Sequence, residues 1–409
     1  MLDVVKVLTI DLEIGMYVSS LDRPWLETPF VLQGFQLETD KDIERLRKHC
    51  DYVYIDTHQS VMEENTIRRK VSYGPRLSRQ QMFPDRTLKI YKDNADWKDE
   101  YPKAQDAVKS LSEGLDDIFA SAGRGGGLNM AKVKLAVEPM INSITRNPDA
   151  CIWLARMKQE DQYTYQHSLG ASIWAVALGR QLGLPKSDLR SLAIGGLLFD
   201  AGKLQLDKDL LNAERPLTED EFETVKSHVQ LGVEAIQKGG VMNRDVIDMV
   251  SYHHERHDGS GYPEGLSGDS IPIFARIAAI VDCYDAITSH RSYARATSPS
   301  IAIKKLYEWK DIDFQAELVE EFIQAVGIYP AGTLVELSSG EVAVVIAEYR
   351  TRRLRPKLMV LLDCEKQPLL DVKMIDLLIQ KESEDGTPLD IVSSLEPEAY
   401  GIDMTAIQL

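Results

Sequence analysis

Residues 253–263 read His253-His254-Glu255-Arg256-His257-Asp258-Gly259-Ser260-Gly261-Tyr262-Pro263. They follow RDVIDMVSY (244–252), whose apolar residues recur at helical spacing, so the paired histidines stand at a helix end and the glycines and proline mark a turn. A helix points adjacent residues about 100° apart. His253 and His254 can therefore serve one site only at the helix end or in the groove between their directions. A polar helix terminus followed by a glycine-rich turn is the plainer reading of the same letters.

Working outward, six of the chain's eight histidines fall between positions 167 and 290: His167, His228, His253, His254, His257 and His290. The same window holds Asp200 and Lys203 in FDAGK, and Asp282 in IVDCYDAITSHRSY. His167, Asp200, His228, His253, His254 and Asp282 each lie on or at the end of a predicted helix. Separate helices can thus aim them into one interior, which is how helical bundles build metal sites. Imidazoles combined with carboxylates suit Zn, Fe, Mn or Ni, and a carboxylate shared by two ions is the usual bridge in a dinuclear hydrolase. Asp200 is the candidate bridge. Lys203, one helical turn further on, faces the same site.

Other catalytic templates fail. His254-Glu255-Arg256-His257 lacks the two-residue gap of HExxH. No GxSxG elbow exists, and no cysteine has motif support as a nucleophile. Hydrolysis by water activated at a metal ion remains.

The chain's 409 residues suggest two or three domains at about 150 residues each, and 44% hydrophobic with 27% charged residues is ordinary globular usage. Lys and Arg number 47 against 64 Asp and Glu, a net charge of −17. Such a surface repels polymeric nucleic acid. A small anionic substrate then needs a local positive centre, which a metal ion would supply. Cys50, Cys151, Cys283 and Cys364 form no CxxC pair, the N-terminus lacks the charge pattern of a signal peptide, and no run approaches a membrane span. The expectation is a cytoplasmic protein.

Residues 1–58 alternate short strands (VVKVLTI, MYVSS, FVLQG, VYID) with a helix entered at Thr39-Asp40-Lys41-Asp42, a small α+β module. Residues 59–103 read as a linker, and 104–149 as two connecting helices separated by GRGGG (123–127). That glycine run is a connector, because no GK[ST] follows it. Residues 150–330 are mainly helical, and 331–409 form a β-rich appendage with a turn at Ser339-Gly340.

The HHERHDGSGYP segment, with the upstream HS, DxGK and HxxxG elements and the downstream DxxDAxTxxRxY, resembles the HD-GYP family of cyclic di-GMP phosphodiesterases over about residues 145–335. The 1–58 module resembles an uncharacterised domain often found before HD-GYP domains. The resemblance implies a mainly α fold, a helical HD-type metallohydrolase bundle binding divalent ions. By position, His167, Asp200, His228, His253, His254 and Asp282 match metal ligands, and Lys203 and Arg291 match residues that contact substrate phosphate. Gly261, Tyr262 and Pro263 match the element that shapes the substrate pocket. One or two ions per chain (Fe, Mn or another transition metal), cyclic di-GMP as substrate, pGpG or GMP as product and diguanylate cyclase domains as partners are what this resemblance implies.

Three positions depart from the family pattern. The histidine of the His-Asp pair is replaced by Phe199, which cannot ligate, so the His167–Asp200–Asp282 site is short of a donor. Tyr163 stands where trinuclear members carry a glutamate. Ala294 stands where a basic residue is common, with Arg295 beside it. Two readings follow: a phosphodiesterase weakened by Phe199, and a catalytically degenerate module that acts as a cyclic di-GMP receptor or protein-interaction partner.

Overall fold

The computed structural model describes residues 4–21, 34–50, 52–56, 59–62, 77–123, 129–157, 163–289, 296–350, 352–383 and 386–404. The chain divides into two compact units, Met1–Ser78 and Arg79–Leu409.

In the first unit, β1 (Val4–Leu8), β2 (Tyr17–Leu21), β3 (Phe35–Gln36) and β4 (Tyr52–Asp56) form an antiparallel sheet of order β1-β4-β2-β3, whose core α1 (Asp40–His49) shares. Strand alternation selects its core. Val53 and Ile55 of β4 are buried with Val7, Val18, Ile43 and Leu46, while Tyr52, Tyr54 and Asp56 face outward. At the start of α1, the Thr39 N–H donates to the Asp42 carboxylate at 2.9 Å. Of the predicted FVLQG strand, residues 30–33 lie outside the described residues.

The second unit is a helical bundle carrying a sheet. After a short α2 (Arg79–Met82) come α3 (Trp97–Gly123), α4 (Met130–Arg146), α5 (Pro148–Arg156), α6 (Tyr163–Leu182) and α7 (Lys186–Leu198). They are followed by the small α8 (Lys208–Leu211), α9 (Glu219–Lys226), α10 (His228–Lys238), α11 (Arg244–Tyr252), α12 (Ile273–Thr288), α13 (Pro299–Glu308) and α14 (Ala316–Val326). Helices α6 and α7 are apolar nearly all round and lie at the centre, as their sequences require. They pack so closely that a Cβ on Gly196 would come 2.9 Å from the Ser172 Cα.

Helix α3 begins at Trp97, earlier than the expected start at Ala104, with Pro102 inside it. Residues 79–96, read as part of a linker, pack on the bundle instead. Phe83 is buried, Arg86 bridges Asp188 (2.7 Å) and Asp245 (2.9 Å), the Lys89 N–H donates to the Gly183 carbonyl (2.6 Å), and the Tyr91 hydroxyl donates to the Leu184 carbonyl (2.8 Å). Most of the GRGGG run (124–128 with its following leucine) lies outside the described residues.

The C-terminal strands β5 (Leu334–Leu337), β6 (Val342–Ala347), β7 (Lys357–Leu362), β8 (Pro368–Asp376) and β9 (Ile391–Ser394) pair antiparallel in the order β8-β7-β6-β5-β9. Along β6, Val344 and Ile346 enter the core of the helices while Ala343 and Val345 enter a second core on the other face. Among the described residues, no helix is long and apolar enough to cross a membrane.

Candidate metal centre

Five segments bring the six predicted ligands together. His167 projects from α6 and Asp282 from α12. Asp200 follows the end of α7, His228 opens α10, and His253 and His254 follow the end of α11. Ligand atoms of Asp200, His228, His253 and His254 lie within 4.8 Å of one another, and so do those of His167, Asp200 and Asp282.

Two glycines make this convergence possible. A Cβ on Gly202 would sit 1.9 Å from the His228 carbonyl oxygen and 2.6 Å from the Gly232 nitrogen. The DxGK and HxxxG elements are therefore two halves of one backbone contact, which seats α10 with His228 against Asp200.

Asp200 is shared, and its two oxygens face different groups. Oδ1 lies 3.4 Å from His228 Nε2 and 3.7 Å from His253 Nε2, whereas Oδ2 lies 3.4 Å from His167 Nε2 and 2.7 Å from Lys203 Nζ. His228 Nδ1 is 2.7 Å from the Val225 carbonyl and His253 Nδ1 is 3.1 Å from the Val250 carbonyl. Since a carbonyl can only accept, each Nδ1 carries a proton and each Nε2 is turned inward. The two Nε2 atoms stand 3.4 Å apart. A proton or a metal ion between them satisfies both. The buried Asp200 Oδ1 and His254 Nε2 also have no hydrogen-bond partner, and an unmet buried acceptor costs about 1–3 kcal/mol. A divalent ion held by Asp200, His228, His253 and His254 fits these unmet atoms, three nitrogens and one oxygen in chemistry that suits Zn, Fe or Mn.

Burial pushes His228 down to about 4 and His254 well below the usual imidazole range, so both are neutral donors at neutral pH. At His167 burial also opposes the charge, but the Asp200, Asp282 and Asp285 carboxylates outweigh it and lift the ring to about 10. Burial opposes ionisation of Asp200 and Asp282 too. Lys203 and His167 nevertheless hold Asp200 far below the ordinary carboxylate range, and His167 and His254 do the same for Asp282.

Phe199 is fully buried between the two groups. Its ring stacks on His253 (centroids 4.8 Å apart, 26°) and meets His167 edge-on at 5.7 Å. It fills the space and contributes no donor.

Beside His254, Tyr262 stacks on the imidazole at 4.6 Å and 23°, with its hydroxyl pKa raised by burial. Gly261 permits this approach, because a Cβ there would meet the Arg256 nitrogen at 2.4 Å. The Tyr262–Pro263 peptide is cis, and Pro263 itself is exposed. Arg291, Ala294 and Arg295 lie outside the described residues, as does the side chain of Tyr163.

Two supporting residues escaped the sequence reading. Asp285 Oδ2 lies 2.8 Å from His167 Nδ1, and its Oδ1 accepts from Trp174 Nε1 at 2.9 Å, which fixes the His167 ring. Its signal was the DxxD spacing, which puts Asp282 and Asp285 on one helical face. Glu255 is buried and accepts from the Glu264 (2.8 Å) and Leu266 (3.0 Å) N–H groups, tying down the loop that carries Tyr262. Adjacent to the histidine pair, it read only as a charged residue.

Family models match in three places: an HD domain over residues 141–316, a domain of unknown function (DUF3391) over 4–133, and a KOW domain associated with the HD domain over 334–384. The chain is 32% identical to a cyclic di-GMP phosphodiesterase of Pseudomonas aeruginosa over 90% of this chain and 87% of that protein. It is 36% identical to a cyclic di-GMP phosphodiesterase response regulator of Xanthomonas campestris over 36% of this chain and 39% of that one. Among solved structures, an HDG"Y"P protein from Bdellovibrio bacteriovorus aligns with a TM-score of 0.47 and 19% identity, over 78% of this chain and 98% of that one. With a relative of this identity along nearly its whole length, and the HD domain spanning the histidine cluster, the chain belongs to the HD-GYP family of HD-domain proteins.

Proposed function

We propose that this chain is a metal-dependent phosphodiesterase of cyclic di-GMP, opening one or both 3′–5′ phosphodiester bonds to give pGpG or GMP. The carrying observation is the buried Asp200 Oδ1, which has no hydrogen-bond partner and is faced by the inward Nε2 atoms of His228 and His253. The names of relatives supply the substrate class. When bound there, a divalent ion supplies positive charge against the phosphate oxygens and acidifies the attacking water. The chain's own groups do the rest. Val225 and Val250 orient two imidazoles through their carbonyls, Glu255 holds the loop, and Tyr262 walls the His254 side. A site of this kind admits a small anion to a surface of net charge −17.

Incubation of the protein with cyclic di-GMP and Mn(II) or Fe(II), followed by chromatography, tests the proposal. pGpG or GMP is the expected product, and intact substrate with every metal overturns it. Phe199 favours a second reading, in which the module binds cyclic di-GMP or a protein such as a diguanylate cyclase domain without turnover. Calorimetry separates the two, since a receptor binds the dinucleotide and leaves it unconsumed.

A further inference from the structure

The two oxygens of Asp200 are in opposite conditions. Oδ1 is buried and unpaired, among His228, His253 and His254. Oδ2, turned to His167, already carries the Lys203 ammonium at 2.7 Å. That pairing is built into the backbone. The 3-10 turn Ala201–Gln205, which starts right after Asp200, brings the residue three positions on back over the carboxylate, and the Lys203 N–H donates to the Asp200 carbonyl at 2.9 Å. The Asp200 side chain is 3% exposed and that of Lys203 27%, so water screens their contact little.

The remaining members of this group are also engaged. His167 Nε2 lies 3.1 Å from Asp282 Oδ1, and Phe199 adds no fourth donor. An ion placed on Oδ2 would have to displace the ammonium or sit against it, with like charges only a few ångströms apart in a buried setting.

We infer that the Lys203 ammonium stands on Asp200 Oδ2 in the place of a second ion, and that the centre holds a single divalent ion, on the Oδ1 side. This rests on the metal-centre reading above and goes beyond it by fixing the ion count and by giving Lys203 a positioning role that precedes any substrate. The divalent ion and the Lys203 ammonium then face Asp200 from its two oxygens, with His167 between Asp200 and Asp282. The lysine holds Oδ2 turned toward His167, which leaves Oδ1 presented to the three imidazoles.

The test is the ion count. Protein loaded with excess Mn(II) and freed of unbound ion is measured by elemental analysis and by calorimetric titration, with circular dichroism as the control for folding. The parent is expected to hold one ion per chain, Lys203→Arg one, and Lys203→Met two, because only the neutral variant vacates Oδ2. Two ions in the parent, or one in a folded Lys203→Met, overturn the inference while leaving the metal centre in place. A parent that binds no ion removes the metal-centre reading and this inference with it. Independently of whether the variants fold, anomalous diffraction from Mn-loaded parent crystals is expected to give one peak beside Oδ1, with Lys203 still on Oδ2. Two peaks overturn it.

Discussion

Phe199 contacts His167 and His253 at once, so a substitution there acts on both ligand groups. Phe199→His places an imidazole in a fully buried position with no partner waiting for it. In the presence of a chelator the variant is expected to lose about 1–3 kcal/mol of stability. With excess Mn(II) the loss is recovered and the metal content rises above the parent's, because the added donor lets an ion compete with Lys203 for Oδ2. Thermal unfolding with and without metal, alongside elemental analysis, checks both halves. Asp285 is a different case, since it accepts from Trp174 and holds His167. Asp285→Ala strands the His167 and Trp174 nitrogens in the interior and is expected to cost about 3–5 kcal/mol, measured as a lowered denaturant midpoint with unchanged slope. An effect below 1 kcal/mol would mean that the His167 ring is held by its packing alone.

Elements meet in this bundle where side chains are missing. Gly202→Ala would drive a Cβ into the His228 carbonyl, a backbone atom that cannot rotate away, so α10 must shift as a body. We expect about 1–3 kcal/mol of destabilisation together with weaker Mn(II) binding, read by calorimetry, because the shift carries His228 off Asp200. The DxGK and HxxxG patterns were visible in the sequence as letters, but their mutual contact was not, because it is made by atoms that every residue shares. The six candidate ligands were legible because helix ends and helical spacing are local properties. The start of α3 at Trp97 was not, since the apolar repeat becomes regular only past Pro102. Residues 79–96 show no period at all. They are held by single anchors, Phe83, Arg86 and Tyr91, whose partners lie far along the chain, and periodicity cannot register such contacts.

At the scale of the whole molecule, the C-terminal sheet meets the bundle through buried charge. The Glu348 N–H donates to Asp149 at 3.1 Å, Arg353 lies 2.6 Å from the Glu348 carboxylate, and Arg350 pairs with Asp93 and Asp149. Burial raises Glu348 to about 8, against the pull of Arg353 and with Asp149 adding to it. The folded protein thus binds a proton that the unfolded chain, with a glutamate near its ordinary value, releases at lower pH. This contribution to stability is complete below about pH 4.5 and is lost as pH rises through about 8. The melting temperature of the parent relative to that of Glu348→Gln is expected to fall across that interval. A difference between parent and Glu348→Gln that stays constant between pH 5 and 8 would mean that the carboxylate is already ionised in the folded state.

The alternation along β6 carries one more implication. A strand that lends its even-numbered side chains to one interior and its odd-numbered ones to another is a shared wall, as between two rooms. Such a wall cannot be taken out with either room. The helical part of this chain will not survive as a minimal fragment ending at Gly327, and a foreign module cannot be grafted in place of the sheet unless its joining strand reproduces Val344 and Ile346 at alternate positions.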